Sequence, residues 1–223
     1  RKISYNLFGT RTGRLSTFKG SFPILNFNKK HRHALLPKND LLVELDYNGA
    51  EVRTLLALSG NDQPELDIHD WNLSRCLSSR ATREEAKERF FAWLYNPDST
   101  DSVFDRFYDK ALSDKFATPF GVATPFDRDL ECDSFHSLNY LLQSTTSDIV
   151  LENCLDVYEL FKGKKSKVSF VVHDSIVLDI DRDEIGLVKE AAKLFEDTRY
   201  GKYMTTMKIG SDYGNMRRVE WKQ

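Results

Sequence analysis

Two aspartates and one helix face carry the chemistry open to this sequence. Asp46 follows the apolar run Leu41-Leu42-Val43-Glu44-Leu45, and Asp174 follows Val168-Ser169-Phe170-Val171-Val172 with His173 between. A carboxylate just past a buried strand sits on a rigid element, where a metal ligand is best fixed. If the two strands are neighbours, the carboxylates lie close together, and like charges that close need cations to neutralise them. Mg²⁺ suits such a place, because it is hard, prefers oxygen and takes one or two carboxylates plus phosphate oxygens. Two such ions about 3.5–4 Å apart stabilise the attacking and leaving oxygens of phosphoryl transfer. Aspartates at these places also serve as plain turn or cap residues, and spacing alone leaves that reading open.

The helix face is made by Arg83, Lys87, Phe91 and Tyr95, each four residues after the last. Four-residue steps keep all of them on one slowly winding face. Two cations near a helix start oppose the dipole, so helix stability does not explain them. Facing a triphosphate, they and the helix N-terminus would all attract anionic oxygens. Phe91 and Tyr95 on the same face could stack on a base or sugar. An ordinary amphipathic helix is the alternative, but Phe90, Trp93 and Leu94 already supply its apolar side.

The elements that must position these residues follow from patterning. Residues 41–45 read as a buried strand, with Asn48 as N-cap of a helix to about Leu58 and Glu51 completing a capping box. A second helix starts near Asp70, a third spans 82–95 and stops at Asn96-Pro97, and a short one covers 104–112. Residues 118–125 read as a turn or hairpin, and 134–161 as a long helix. Residues 168–172 and 176–180 read as a hairpin around His173-Asp174-Ser175, followed by a helix over 184–197 and a last strand at 207–209. The order predicts a mixed α+β fold.

Composition bounds the rest. The chain has 223 residues, enough for one large domain or two small ones, and its 15 Phe rule out a disordered chain. No stretch approaches the roughly 20 apolar residues of a membrane helix. The start, Arg1-Lys2-Ile3-Ser4, lacks both an initiating Met and a signal pattern, which suggests a piece of something longer. Cys76, Cys132 and Cys154 form no CxxC, so neither a zinc site nor a disulfide framework is expected, and a reducing compartment fits. The net charge of −2 hides an asymmetry: residues 1–39 hold nine Lys/Arg and no Asp or Glu, and the other 184 hold 23 Lys/Arg against 34 Asp/Glu. A basic segment on an acidic body can track a phosphate backbone, or it can be a solvated arm.

Taken in order, these segments resemble the polymerase domain of the family A DNA polymerases, of the bacterial DNA polymerase I and phage replicative type. Thr12-Gly13-Arg14-Leu15-Ser16 resembles that family's TGRLS segment, and Asp46-Tyr47-Asn48-Gly49-Ala50-Glu51-Val52-Arg53 its motif A. Asp67-Ile68-His69 is similar to the DIH that follows, and Arg83, Lys87, Phe91 and Tyr95 match motif B. Asn139 and Gln143 fit the helix that meets primer-template, Val172-His173-Asp174 is similar to motif C, and residues 209–214 resemble the C-terminal strand and tail. The resemblance implies an antiparallel palm sheet with flanking helices (1–69 and 125–223) and a reduced helical fingers subdomain (70–124), without thumb or exonuclease. It implies two Mg²⁺ ions, or Mn²⁺ in their place, on Asp46, Asp174 and the Tyr47 carbonyl. It also implies triphosphate binding by His69, Arg83 and Lys87, with Lys87 protonating pyrophosphate. Phe91 would pack on the nucleotide, and Tyr95 with Glu51 would exclude a ribose 2′-OH. Arg14, Arg53, Asn139, Gln143 and His173 are placed with the DNA, Arg53 as an ordering residue of the palm.

The implied partners are primer-template DNA, a dNTP and a thumb or exonuclease region on the same or a separate chain, with no membrane. The implied setting is the cytoplasm of a bacterium or phage-infected cell, with a eukaryotic organelle as the alternative. The sequence departs from the family at Ser175, where motif C usually has a carboxylate, and after Tyr95, where Asn96-Pro97 replaces the usual glycine. Residues 96–134 stand for a longer set of fingers helices, and Phe135 for an arginine. Ser175 also occurs in related single-subunit RNA polymerases, which makes these one alternative; a catalytically silent binding or split-polymerase module is another.

Overall fold

The computed structural model describes residues 2–76, 81–96 and 98–220. It is a mixed α+β fold of antiparallel sheets with flanking helices, and it divides into two units. The first comprises Arg1–Tyr47, Ser147–Arg199 and Thr205–Gln223; the second comprises Asn48–Thr146 and Tyr200–Met204.

In chain order the strands and α-helices are β1 (Tyr5–Asn6), β2 (Ser16–Thr17), β3 (Leu41–Tyr47), α1 (Ala50–Leu58), α2 (Ile68–Cys76) and α3 (Arg83–Tyr95). Then come α4 (Leu112–Lys115), β4 (Ala117–Thr118), β5 (Gly121–Ala123), β6 (Asp129–Glu131), α5 (Ser134–Leu160), β7 (Lys167–Val172) and β8 (Ser175–Ile180). The chain ends with α6 (Val188–Glu196), β9 (Asp197–Thr198), β10 (Gly201–Lys202), β11 (Thr205–Gly210) and β12 (Arg217–Val219).

The first unit is built on an antiparallel five-stranded sheet in the order β12-β11-β3-β8-β7. Strand β3 lies at its centre, with both faces covered, so Leu42, Val43, Leu45 and Tyr47 are all buried and only Glu44 and Asp46 interrupt its apolar run. On one face Tyr47 stacks on Phe195 of α6, with ring centroids 4.2 Å apart. On the other, Leu42 and Val177 join Phe170, Val172, Tyr213 and Ile24 in a buried cluster. Edge strand β7 is capped by the N-terminal segment: the Tyr5 phenol donates to the Val171 carbonyl at 2.7 Å and accepts its N–H at 2.9 Å. Burial pushes that phenol up to about 12. Buried Asp179 accepts the N–H groups of Lys38 and Asn39, both at 2.9 Å, fixing the entry into β3.

The second unit packs α1, α2, α3 and the first part of α5 around an aromatic core. Phe90, Trp93, Phe104 and Tyr108 are buried there with Leu55, Leu56 and Leu141. Thr82 caps α3 in a capping box with Glu85. The hairpin expected at 118–125 is β4–β5, extended by β6 into a three-stranded sheet.

Four of the boundaries that differ from the sequence reading have a clear physical cause or consequence. Strand β3 continues through Asp46 and Tyr47, so Asp46 lies within the strand. The N-cap of α1 is Gly49, at φ +61°, and not Asn48, whose side-chain oxygen is taken by the Ile68 N–H at 2.8 Å. A Cβ on Gly49 would stand 2.5 Å from Ile68 Cγ2, so this turn needs glycine twice over. The helix expected at 104–112 is a 3₁₀ turn over Phe104–Arg106 and then α4, because the Asp109 N–H turns to the Ser59 hydroxyl at 2.9 Å. The helix expected from Glu184 opens as a 3₁₀ turn, with the Glu184 carboxylate drawn to the N–H groups of Lys165 and Ser166. Cys132 and Cys154 are free thiols, and among the described residues no helix is long and apolar enough to cross a membrane.

Candidate active site

The first unit holds the carboxylates. Strands β3 and β8 pair so that Asp46 faces Ser175, one residue after Asp174, and the Tyr47 N–H donates to the Asp174 carbonyl at 3.3 Å. His173 and Asp174 form the two-residue turn between β7 and β8, with exposed His173 at φ +54°, a backbone state rare outside glycine. Burial, then the charges of Asp174 and Glu44, push Asp46 up to about 7, against a smaller pull from Lys208. Glu44 lies two residues back on the same face and is itself buried, bonded to Lys208 Nζ at 2.6 Å and to the Tyr213 phenol at 3.2 Å. The Arg32 guanidinium lies 4.7 Å over the Tyr213 ring.

Asp46 is desolvated beside two other carboxylates, an arrangement that a divalent cation would stabilise. The donors are oxygen, which suits Mg²⁺ or Mn²⁺ and not a thiophilic metal. Among the described residues no group of three or more His, Cys, Asp or Glu is arranged to hold a metal. Asp46 and Asp174 would therefore hold an ion only with ligands from elsewhere, as Mg²⁺ commonly does with water and phosphate. Ser175 does not add to the set: it is buried, and its hydroxyl donates to the Val172 carbonyl at 2.9 Å. Arg14, half-buried in the same unit, follows the tight turn at Gly13 (φ +69°), whose carbonyl accepts the Ser147 hydroxyl at 3.3 Å.

The second unit holds the helix face. Phe91 and Tyr95 stack at 5.8 Å with ring planes 8° apart, and Phe91 lies 6.1 Å from the His69 ring. The Tyr95 phenol donates to Glu51 Oε2 at 3.1 Å. Lys87 is exposed. His69 is buried, with Nδ1 unpartnered among the described residues; burial pushes it down to about 4, Asp67 pulls the other way, and Arg83, Lys87 and Arg53 add to the fall. Its ring is thus neutral at pH 7 and brings a hydrogen bond rather than a charge. On α5, Gln143 donates to Asn139 Oδ1 at 2.7 Å. Asn139 and Tyr95 line a cavity of about 540 Å³ together with Lys110 and Phe135, the last 66% exposed.

Arg53, placed by the resemblance with the DNA as an ordering residue of the palm, has a fully buried side chain whose guanidinium donates to carbonyls. Nε donates to Asn48 O at 2.8 Å, Nη1 to Pro64 O at 3.0 Å and Nη2 to Leu66 O at 2.6 Å. Its ordering is local, of the segment that leads into α2. Two residues were missed. Asn48 bridges the Ile68 N–H and Asp67, and Asp67 is the N-cap of α2, accepting the N–H groups of His69 at 2.9 Å and Asp70 at 3.2 Å. The available signal was an aspartate directly before the apolar start of a helix.

No family model matches the chain, and no curated protein matches it by sequence. Solved structures do match. One is the POL domain of Pol1 from M. smegmatis, in complex with DNA primer-template and dNTP, at a TM-score of 0.76 and 17% identity over 96% of this chain. The chain spans 48% of that protein's length, about half. At this identity the likeness is one of fold, and the fold is that of a polymerase domain.

Proposed function

We propose that the chain is the palm and fingers core of a DNA-templated DNA polymerase, with the palm in residues 1–69 and 125–223 and the fingers in 70–124. The observation that carries this reading is the β3–β8 register, which sets desolvated Asp46 next to Asp174 at a strand turn. The likeness to a POL domain solved with primer-template and dNTP supports it.

In this reading Asp46, Asp174 and the Tyr47 carbonyl hold two Mg²⁺ ions. When bound, these ions would polarise the reacting oxygens of phosphoryl transfer. Arg83 brings positive charge to the triphosphate and neutral His69 one N–H, while Lys87, free to move at the surface, gives a proton to the departing pyrophosphate. Phe91 offers a flat apolar face to the nucleotide. The Glu51–Tyr95 pair closes the space a ribose 2′-OH would need and leaves that hydroxyl without a partner. Arg14, Asn139, Gln143 and His173 meet the DNA.

A second reading, a single-subunit RNA polymerase, has Ser175 in its favour. The Glu51–Tyr95 hydrogen bond weighs against it. Single-nucleotide primer extension with Mg²⁺ tests the proposal. The parent should extend the primer, and Asp46→Ala should not while it binds DNA within about twofold of the parent. Equal turnover by both would refute the assignment.

A further inference from the structure

Arg83 is the first residue of α3, where the helix dipole opposes its charge. Asp67 holds it there. Nε of Arg83 donates to Asp67 Oδ1 at 3.2 Å and Nη2 to Oδ2 at 2.7 Å, a two-pronged grip on one edge of the guanidinium. That grip uses two of the five N–H donors. The Nη1 amino group and one Nη2 proton lie outside it.

Asp67 is itself held fast. Its Oδ1 caps α2, and its Oδ2 accepts Asn48 Nδ2 at 2.5 Å. Asn48 in turn lies between Arg53 and the Ile68 N–H. A chain of bonds thus runs from a fully buried cation to a half-exposed one, and its last link is the carboxylate of Asp67. Although burial alone would raise it, the Asp67 carboxyl is drawn down to about 2 by Arg83, the Asp70 N–H and Asn48, so it is ionised at any working pH. Asp70 and Glu84 each approach Arg83 only to 3.9 Å and are more exposed, so neither replaces Asp67.

We propose that Asp67 is a positioning residue for nucleotide binding: it grips the Nε edge of Arg83 and so presents the opposite edge to the triphosphate. This deepens the polymerase reading and rests on it for the ligand of Arg83. Asp67 touches no substrate; it acts through Arg83, and that makes the claim separable from a structural role.

The test is a double-mutant cycle. Primer extension is measured for the parent, Asp67→Asn, Asp67→Glu, Arg83→Ala and the double variant Asp67→Asn with Arg83→Ala. Binding of inorganic tripolyphosphate is measured by calorimetry on the same proteins. Asp67→Asn should raise KM for the dNTP on the order of tenfold, with kcat changed less, by loss of a charge-assisted hydrogen-bond pair. It should weaken tripolyphosphate binding to a similar degree. Asp67→Glu should recover part of both losses. With Arg83 already absent, Asp67→Asn should add almost nothing, because residues that act as one unit are not additive. An unchanged KM, or an equal loss in the Arg83→Ala background, would overturn the proposal, the latter showing that Asp67 merely caps α2. If the parent binds tripolyphosphate with this dependence but extends no primer, the polymerase reading fails and the positioning role stands. If the parent's tripolyphosphate binding is insensitive to Asp67, the positioning role fails whatever the enzyme does.

Discussion

Replacing Arg53 by alanine should be among the most damaging single changes in the chain. The side chain is fully buried, and three backbone carbonyls, of Asn48, Pro64 and Leu66, depend on it at 2.6–3.0 Å. Two weaker contacts, to Gln63 Oε1 and Asn48 Oδ1, are both at 3.4 Å. Each carbonyl left buried and unpaired costs about 1–3 kcal/mol, and water entering the vacated space recovers part of this. The net loss should be roughly 3–5 kcal/mol, out of a total stability on the order of 5–15 kcal/mol. In a chain of this size that corresponds to a melting point lower by roughly 10 °C. Urea denaturation with Arg53→Ala and Arg53→Lys is the assay; lysine keeps the charge but loses the fork, so it should recover only part of the loss. KM for the dNTP should rise, because the loosened segment carries Asp67 and His69. DNA affinity, measured where the variant is still folded, should not change. A stability loss under about 1 kcal/mol together with weakened DNA binding would refute the reasoning and return Arg53 to the DNA surface.

Three further outcomes are expected. Glu51→Ala should relax discrimination against ribonucleotides by about 10- to 100-fold, the worth of one hydrogen-bonded gate, and leave stability within about 0.5 kcal/mol; an unchanged ratio of ribo- to deoxyribonucleotide incorporation would remove Glu51 from the gate. Without metal, Asp46→Asn should raise stability at pH 8 on the order of 2 kcal/mol. Asp46 has a folded pKa of about 7, above its ordinary 3.8, so its favourable contribution is complete below 3.8 and is lost as pH rises through 7. Added Mg²⁺ should restore stability to the parent and not to the variant, by thermal melts. Last, His69, whose folded pKa of about 4 lies below its ordinary 6.5, favours folding above pH 6.5 and loses that contribution as pH falls toward 4. After allowance for water reaching the ring, the effect should be roughly 1–2 kcal/mol, and His69→Gln should flatten the stability profile over that window.

The fold was legible wherever burial sets the pattern. Strands β3, β7 and β8 announced themselves as apolar runs broken by polar turns, and α3 and α5 by helical spacing. It was less legible where a tertiary bond overrides a local preference. Asn48 looks like a helix cap, yet its amide is committed to Asp67 and Ile68, and Gly49 takes the cap at a positive φ where a Cβ would also meet Ile68. Phe104, Tyr108 and Leu112 are all buried at four-residue spacing, as in a helix, although the chain between them is not continuously helical. At the candidate site, Asp46 and Asp174 could be singled out from their strands. The Asp67–Arg83 pair could not, because its members are 16 residues apart, at the starts of two different helices, and no periodicity joins them. For Arg53, only the fold shows which groups it orders: the carbonyls of Asn48, Pro64 and Leu66 around a fully buried guanidinium.

In the proposed function, Asp46 in β3 and Asp174 in the turn between β7 and β8 together hold the divalent cations. Mn²⁺ binding followed by electron paramagnetic resonance, in the presence of dNTP, tests it most directly for the parent, Asp46→Asn and Asp174→Asn. The parent should bind Mn²⁺ and release it to excess Mg²⁺, and each variant should lose at least tenfold in affinity, the order expected for a removed carboxylate ligand. Equal Mn²⁺ binding by all three proteins would remove Asp46 and Asp174 from the metal site.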